Sequence, residues 1–366
     1  MPGDDQTELP RDLATTTLYS TTSIRLRVCA IMIRKSVYII VLHLLLLRLI
    51  ADAAIVAGGS DPCDIGSLPD PRTLRPDRLT VLISGYSERR LPLLRSLAAL
   101  YSSLPYVSAV LVLWGNPDTP SQTLSAALPI SDGAPISLIR QPERSLNARF
   151  LPRTAIRTRA VVVCDDDVDP DPRALALAFS QWLGHDRALV GFFARSHALD
   201  LEAKTWIYTL HHDRYSIMLT KLVILKTEYL YRYSCWNRLR DARGLVERER
   251  NCEDILMNFV AAMEEGGGEG PVLVEGRVRD WGDPRNNGTL STLSASGSGE
   301  EEEIRRVGLS SRLDHRKRRG WCIREFHRML GVMPLRYSYG KVVEGAGEQG
   351  LCNKGGNLVY CDNQRY

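Results

Sequence analysis

The chain has 366 residues, and 44% of them are hydrophobic, which is enough for a sizeable core and excludes a wholly disordered protein. The net charge of +4 is small for this length and argues against a dedicated nucleic-acid-binding protein. The length suits one large domain, or one domain with tails.

The N-terminal part is predicted to bring the chain to a membrane. Residues 1–31 are polar and Thr-rich and predict a disordered extension, and residues 32–54 contain the apolar run Val37–Leu47. This run is shorter than the roughly 20 residues that span a bilayer, and basic residues precede it. A cleaved signal peptide, a short type II anchor and a buried core helix remain open. The first two would place the body in the lumen of the ER or Golgi.

The body is predicted to alternate strands and helices. Residues 55–78 indicate a stem or linker, and residues 79–345 indicate the folded domain. The predicted strands are Leu79–Ile83, Ala109–Trp114, Ile136–Ile139 and Ala160–Cys164, and the predicted helices include Leu91–Tyr101 and one that begins at Pro172. This order is typical of an α/β fold with a doubly wound, mostly parallel sheet, where ligands bind at the carboxyl ends of strands.

Three later stretches are predicted to lie outside regular structure. Glu264–Gly270 indicates a surface loop, and residues 286–303 form a low-complexity polar loop within the domain. The second loop begins beside Asn287, the acceptor of an Asn-Gly-Thr glycosylation sequon. Residues 346–366 form a C-terminal tail.

A cluster of aspartates follows the clearest predicted strand. Asp165, Asp166, Asp167 and Asp169 fall within five positions, and their mutual repulsion costs energy unless a cation compensates it. Mg²⁺ and Mn²⁺ prefer such oxygen ligands and leave positions open for diphosphate oxygens. The alternative is an acidic loop that caps the following helix.

Two further segments carry charge in a pattern that suits a phosphate-containing ligand. Glu253 and Asp254 precede an apolar helical stripe, so they lie in the first turn of a helix, where capping is the alternative role. Arg312–Arg328 is strongly basic and could bind a diphosphate, or form a solvated basic face.

The eight cysteines form no Cys-x-x-Cys pair, which excludes a zinc knuckle. In a chain that enters the secretory pathway, an even number of scattered cysteines indicates a few disulfides. Cys164 lies inside an apolar strand, and we expect it to be a free, buried thiol.

The motifs in combination resemble a known family. The strand that ends in Asp165–Asp167, the sequence NCED from Asn251, RRGWCIREF from Arg318 and MPLRYS from Met333 are together similar to the exostosin-like glycosyltransferases of family 64, particularly its plant members. The similarity covers about residues 79–343. It implies a GT-A fold, Mn²⁺ as cofactor, a nucleotide-sugar donor and retention of anomeric configuration.

The resemblance also implies roles for individual residues. Asp254 is implied as the catalytic carboxylate and Asp167 as the metal ligand, while Cys252 and Cys322 are implied as a disulfide. The implied donor-binding positions are Arg89, Asn116, Arg149, Asp165, Asp166, Glu253 and Arg319. The family's first loop reads Thr-Tyr-Asn-Arg, and this chain departs from it, so we expect Arg89 to supply the arginine.

The predicted function is transfer of a hexosyl or N-acetylhexosaminyl group to a glycan or glycolipid acceptor. A UDP-sugar is the favoured donor, and GDP-mannose remains open. The alternative is a catalytically inactive protein on the same scaffold that binds a glycan or nucleotide-sugar. No second metal site or nucleophile motif supports a phosphohydrolase.

Overall fold

The structure is a computed structural model of the chain. It describes residues 61–141, 143–211, 213–264, 267–282, 314–344, 351–354 and 357–360. These residues belong to one compact unit, Asp61–Tyr366. The predictions for residues 1–31, 32–54 and 286–303 and for Asn287 lie outside them. Within the described ranges, no helix combines the length and the apolar character that crossing a bilayer requires.

Strands and helices alternate as predicted through the first half of the domain. The strands are β1 Arg75–Gly85, β2 Val107–Trp114, β3 Ile136–Arg140, β4 Thr158–Asp165, β5 Val168–Pro170, β6 Val190–Gly191, β7 Ala194–Asp200, β8 Thr205–Thr209, β9 Ile217–Met218, β10 Leu222–Lys226, β11 Val272–Glu275, β12 Val278–Asp280, β13 Lys341–Val343, β14 Leu351–Lys354 and β15 Asn357–Tyr360. The helices are α1 Leu91–Ser103, α2 Ser121–Ala127, α3 Pro172–Gly184, α4 Thr227–Cys235, α5 Arg240–Glu249, α6 Glu253–Ala262 and α7 His315–Leu330.

An eight-stranded sheet forms the centre, in the order β13-β11-β6-β10-β4-β1-β2-β3. β1 runs parallel to β2 and β4, and β2 runs parallel to β3, whereas β10 runs antiparallel to β4 and β6. The predicted α/β fold with a mostly parallel sheet is therefore confirmed. The antiparallel β10 was not predicted, because a short apolar run does not reveal strand direction.

The two faces of the sheet bury separate hydrophobic clusters. Val161 and Val163 of β4 belong to the cluster formed with α4, α5, α6 and α7. Val162 and Cys164 belong to the cluster formed with α1 and α3. Because both faces are covered, β4 is apolar at consecutive positions instead of alternating with polar residues.

The carboxyl ends of β1, β2 and β4 meet at one edge of the sheet. In the parallel register, Ser84 pairs with Asp165 and Gly85 pairs with Trp114. A Cβ atom at Gly85 would lie 2.9 Å from Trp114 Cε3, so this position accommodates only glycine without a shift. The register thus places the start of the aspartate motif directly beside the loop that follows β1.

The first strand begins earlier than predicted. β1 starts at Arg75, four residues before Leu79. The prediction missed these four residues because they are largely exposed and give no apolar signal. The composition of Asp61–Asp77 indicates a linker, but this stretch forms the 3₁₀-helices Ile65–Ser67 and Pro71–Thr73 before the strand. An aspartate side chain caps each of these helices, which explains the richness in aspartate.

Two disulfides fix separate parts of the domain. Cys252 and Cys322 are bonded, as the resemblance implies, and they join the start of α6 to α7. A second bond joins Cys63 to Cys235 at the end of α4, a pairing that the sequence left open. Cys164 is free and buried as expected, and burial raises the pKa of its thiol to about 12.

Two predicted irregular regions differ from expectation. The tail at 346–366 contains β14 and β15, which pair antiparallel. The predicted surface loop Glu264–Gly270 starts with a buried residue: Lys226 Nζ donates to the Glu264 carboxylate at 2.8 Å, and the Tyr229 hydroxyl also donates to it. Glutamate is an exposed residue by default, so this internal ion pair could not be predicted from local sequence.

Candidate active site

Arg149 fixes the first aspartate of the motif. It lies in the 3₁₀-helix Asn147–Phe150 and is buried. Its Nη2 donates to the Asp165 carboxylate at 2.6 Å and to the carbonyl oxygens of Cys164 and Thr220 at 3.3 and 3.2 Å. The end of β4 is therefore held by a charge-assisted hydrogen bond.

Arg90 bridges the next two aspartates. Its Nη1 lies 2.9 Å from Asp166 Oδ1 and 3.0 Å from Asp167 Oδ2, and both aspartates are buried. Lys221 adds positive charge near Asp167, and its Nζ donates to Asp280 at 2.5 Å. These cations offset the repulsion among the carboxylates.

The compensation is incomplete at Asp167. Burial and then the charge of Asp165 raise the pKa of Asp167 to about 6, although Arg90 and Lys221 act to lower it. Asp166 Oδ2 and Asp167 Oδ1 are buried and have no hydrogen-bond partner among the residues that the structure describes. Two buried carboxylate oxygens without donors are costly, and a bound cation would satisfy them.

These oxygens fit a hard divalent cation in donor type. Carboxylate oxygen is the ligand that Mg²⁺ and Mn²⁺ prefer, and such ions commonly take only one or two carboxylates together with phosphate oxygens. Across the part of the chain that the structure describes, no group of three or more His, Cys, Asp or Glu side chains could hold a metal ion. The protein's share of a metal site here would thus be Asp166 and Asp167, and a ligand would supply the rest.

The backbone of residues 281–282 lies directly against Asp167. The Trp281 amide donates to the Asp167 carbonyl at 2.8 Å, and a Cβ atom at Gly282 would lie 2.6 Å from Asp167 Oδ2. Glycine therefore allows the chain to approach the carboxylate closely. The Gly282 amide donates to Asp280, so the segment is fixed in place.

The NCED segment forms a second group of charges. The Asp254 carboxylate is buried and lies 2.5 Å from Arg319 Nη2 of α7, and its other oxygen accepts from the Ile255 amide at 2.8 Å. Arg319 Nη1 donates to Asn251, and its guanidinium lies over the ring of Tyr208, 4.5 Å from the centroid. The pKa of Arg319 is raised by the charge of Asp254 despite the opposing effect of burial.

A tight backbone turn positions this segment. Arg250 and Cys252 have φ angles of 46° and 77°, in the left-handed region that non-glycine residues rarely adopt. The turn separates α5 from α6, and the bond from Cys252 to Cys322 holds it against α7. Glu253 and Asp254 therefore enter the first turn of α6, as predicted, with α7 directly beside them.

Arg149 also connects the two acidic groups. Its Nη1 lies 3.9 Å from Glu253 Oε1, while its Nη2 holds Asp165. Burial and then the charge of Asp254 raise the pKa of Glu253 to about 7, against the lowering effect of Arg149. The aspartate motif and the NCED segment, about 90 residues apart in sequence, thus border one site.

The remaining predicted residues lie in different surroundings. Asn116 follows β2 at the same sheet edge, and its side chain accepts from the Asp118 amide at 3.1 Å. Arg89 is exposed, and its neighbour Arg90 contacts the aspartates instead. Asp169 turns away onto β5, where burial raises its pKa despite the lowering effect of the Arg279 charge.

Sequence reasoning missed Arg90, Lys221 and Tyr208. The adjacent arginines after β1 gave a signal for Arg90, but the sequence does not show which of them turns inward. Lys221 precedes β10, and its carbonyl accepts from the Asp165 amide. Its position follows only from the antiparallel pairing of β10 with β4, which was not predicted.

Comparison with known proteins identifies the same family that the sequence motifs resemble. A model of the glycosyl transferase family 64 domain matches residues 79–346. Glycosyltransferase family protein 64 C3 of Arabidopsis thaliana is 54% identical over 316 residues, which are 84% of this chain and 92% of that protein.

More distant relatives share only part of their length with this chain. An exostosin-like-3 homolog of Caenorhabditis elegans is 29% identical over 72% of this chain and 28% of that protein. Glucosamine inositolphosphorylceramide transferase 1 of Arabidopsis thaliana is 26% identical over 66% of this chain and 29% of that protein. The chain therefore spans less than a third of these two proteins.

A solved structure of GalNAc-T7 with UDP, GalNAc and Mn²⁺ overlaps 53% of this chain and 41% of that one, with a TM-score of 0.37 and 11% identity. That similarity is too low to support an argument about fold or metal.

Proposed function

Because the chain belongs to glycosyltransferase family 64 and is a glycosyltransferase, we propose that it transfers a sugar from a nucleotide-sugar to a glycan or glycolipid acceptor with retention of configuration. We further propose a GT-A type fold, Mn²⁺ as cofactor and a UDP-sugar as donor, with GDP-mannose as the second candidate. One observation carries the proposal: Arg149 joins Asp165 to Glu253, so the aspartates and the NCED acids face one site.

The aspartate motif binds the donor in this proposal. Asp167, with Asp166, offers the unpartnered oxygens for Mn²⁺, which when bound neutralises charge on the departing diphosphate as a Lewis acid. Arg90 and Lys221 supply positive charge beside these carboxylates. Arg149 and Glu253 line the site between the two acidic groups and are assigned to the donor sugar.

Asp254 acts at the reacting carbon. Its carboxylate stabilises positive charge on the anomeric carbon and orients the acceptor. The bond from the anomeric carbon to the diphosphate oxygen breaks, the acceptor oxygen attacks from the same face, and the acceptor proton passes to the departing phosphate oxygen. Arg319 positions Asp254, and its buried Nε–H, which has no partner among the described residues, is assigned to the diphosphate.

The disulfides support a secretory-pathway location. Two bonds within the domain, Cys63–Cys235 and Cys252–Cys322, indicate that the chain folds in an oxidising compartment. We propose the ER or Golgi lumen, with attachment through the N-terminal hydrophobic segment.

Replacing Asp254 tests the mechanism. Asp254→Asn should lower donor hydrolysis and transfer by about 10² to 10³-fold, because the charge that stabilises the anomeric carbon is lost. Donor binding should remain, and the melting temperature should fall because Arg319 stays buried with a weaker partner. Asp314→Asn, the same change at an exposed aspartate that pairs with Arg318, is the control and should leave the rate unchanged. If the Asp254→Asn variant hydrolyses the donor at the wild-type rate in the presence of Mn²⁺, the role assigned to Asp254 is excluded.

A further inference from the structure

A β-hairpin beside the site exposes large apolar side chains. β7 and β8 pair antiparallel and are joined by a turn at residues 201–204. Leu199, Leu201, Ile207 and Leu210 are 45%, 79%, 38% and 55% exposed. Single exposed leucines are ordinary, but four apolar side chains within twelve residues mark an interaction surface. We call residues 194–210 the apolar hairpin.

The exposed side chains lie on both faces of this hairpin. Leu199 pairs with Trp206, and Ile207 pairs with Ala198. Because side chains alternate along a strand, Leu199 and Ile207 point to opposite faces. The face that carries Leu199 also carries Trp206 and Tyr208, which pack against His327 and Arg319 of α7, so that face is open only near the turn. A lipid interface can contact the exposed side chains on both faces near the turn, whereas a second protein surface would cover one face. The distribution therefore favours a membrane.

The turn is rigid enough to present Leu201. Asp200 Oδ1 accepts from the amides of Glu202 and Ala203 at 3.0 and 2.9 Å, which fixes the chain reversal. Lys204 then adopts a φ of 51°. The carboxylate of Asp200 is thus engaged within the turn, and Leu201 projects as the most exposed of the four residues.

Positive charge flanks the apolar hairpin. Arg324 of α7 donates to Thr205 at 3.4 Å, so α7 runs alongside β8. Lys317, Arg324 and Arg328 are exposed and are spaced seven and four residues apart, which places them on one face of the helix. Lys204 adds a fourth cation, and the three nearby acids are Asp200, Glu202 and Glu325, so a small excess of positive charge remains. Basic residues around a shallow apolar insertion are complementary to anionic lipid.

The hairpin is connected to the reacting groups through one residue. Tyr208, next to Ile207, lies beneath the Arg319 guanidinium that pairs with Asp254. A Cβ atom at Gly320 would lie 3.3 Å from the Tyr208 amide nitrogen, so α7 and β8 are in close contact. Along β8, only a few residues, each about 3.3 Å long, separate Tyr208 from the turn of the hairpin. A membrane surface at the hairpin would therefore lie close to Arg319 and Asp254.

We propose that the apolar hairpin inserts shallowly into an anionic membrane surface and holds the site against a lipid-linked acceptor. The choice of acceptor rests on the proposed function, but the docking surface itself does not.

Hydrogen–deuterium exchange of the full chain tests the docking. With phosphatidylcholine vesicles that contain phosphatidylserine, the amides of residues 199–210 should exchange at least about tenfold more slowly than without vesicles. The loop around Ile130, an apolar residue that is fully exposed, should not change. The local readout separates hairpin contact from attachment through the N-terminal segment. Leu201→Asp should remove the slowing, whereas Ile130→Asp should retain it.

Several outcomes would overturn the docking proposal. The first two are amide exchange in the hairpin that vesicles do not change, and amide exchange around Ile130 that vesicles slow to the same extent. The third is equal slowing of hairpin exchange by vesicles of phosphatidylcholine alone. The fourth is protection of the hairpin that grows with protein concentration without lipid, which would indicate a second copy of the chain. Donor hydrolysis on the same sample keeps the two proposals separate. Leu201→Asp should hydrolyse the donor at the wild-type rate, and absent hydrolysis in the wild type would contradict the proposed function while leaving the exchange result to decide docking.

Discussion

Individual carboxylates in the site differ in how well a cation compensates them. Asp165 and Asp254 each have an arginine nitrogen within 2.6 Å, and Asp166 shares Arg90 with Asp167. The nearest arginine nitrogen to Glu253 among the ion pairs of the described residues belongs to Arg149 and is 3.9 Å away, and Arg319 acts on Glu253 only through its charge. Burial therefore dominates at Glu253 and raises its pKa to about 7.

This shift predicts how stability depends on pH. The ordinary pKa of 4.5 applies to the unfolded chain and about 7 to the folded one, so the folded state binds more protons between these values. The stabilisation is fully present below about pH 4.5 and is lost as pH rises through 7. Glu253→Gln cannot ionise, so relative to wild type its free energy of unfolding should increase by roughly 2–3 kcal/mol between pH 5 and pH 8.

Urea denaturation of both proteins at the two pH values measures the difference. Glu202→Gln, in an exposed turn, is the control and should differ from wild type by the same amount at pH 5 and pH 8. A difference for Glu253→Gln that does not change with pH would show that Glu253 is ionised throughout.

At the scale of elements, the two disulfides have separable effects. Cys252–Cys322 joins the start of α6 to α7, the two helices that carry Asp254 and Arg319. Replacing both cysteines by serine should cost about 4 kcal/mol of stability for a loop of 70 residues, and should also lower kcat, because the ion pair loses its alignment. Thermal denaturation and initial rates measure the two effects.

The other disulfide supplies the matched control. Cys63–Cys235 closes a loop of 172 residues and is attached to neither α6 nor α7, so its removal should cost about 5 kcal/mol and leave kcat unchanged below the melting temperature. Equal effects of both pairs on kcat would mean that the Cys252–Cys322 bond contributes only stability.

Elements with a strong local signal were predictable from the sequence. β4 is an apolar run that leads directly into aspartates, and α6 has acids in its first turn and an apolar stripe behind them. α7 was predicted only as a basic segment, because few of its residues are buried. One of the buried residues is Arg319, whose partner Asp254 lies 65 residues earlier in the chain. Such a partner depends on tertiary contacts that local patterns do not encode.

The whole molecule brings its site together from both sides of the sheet edge. β1, β2 and β4 supply the strand ends and the aspartates, while α6 and α7 supply Asp254 and Arg319 from the face covered by the cluster that contains α4, α5, α6 and α7. The sequence indicated both groups but not their proximity. Arg149, on a 3₁₀-helix with no sequence signature of its own, makes that connection.

This arrangement predicts that metal and nucleotide stabilise the fold together. A ligand at a hundredfold excess over its dissociation constant adds about 2.7 kcal/mol, which corresponds to a rise of about 5 °C in melting temperature for a domain of this size. UDP with Mn²⁺ should produce this shift, and UDP alone should produce much less, because no cation then satisfies Asp166 Oδ2 and Asp167 Oδ1, which have no partner within the described ranges. Comparing the melting-temperature shift with GDP to the shift with UDP identifies which base the site prefers.

Asp167→Asn should remove the part of the shift that depends on Mn²⁺, and EDTA should do the same for the wild type. Asp118→Asn, at an exposed carboxylate paired with Arg144, should behave as wild type. A shift with nucleotide that is independent of Mn²⁺ in the wild type would mean that Arg90 and Lys221 alone compensate the aspartates when the diphosphate binds. The carboxylates would then bind no cation, and the proposed metal dependence would be wrong.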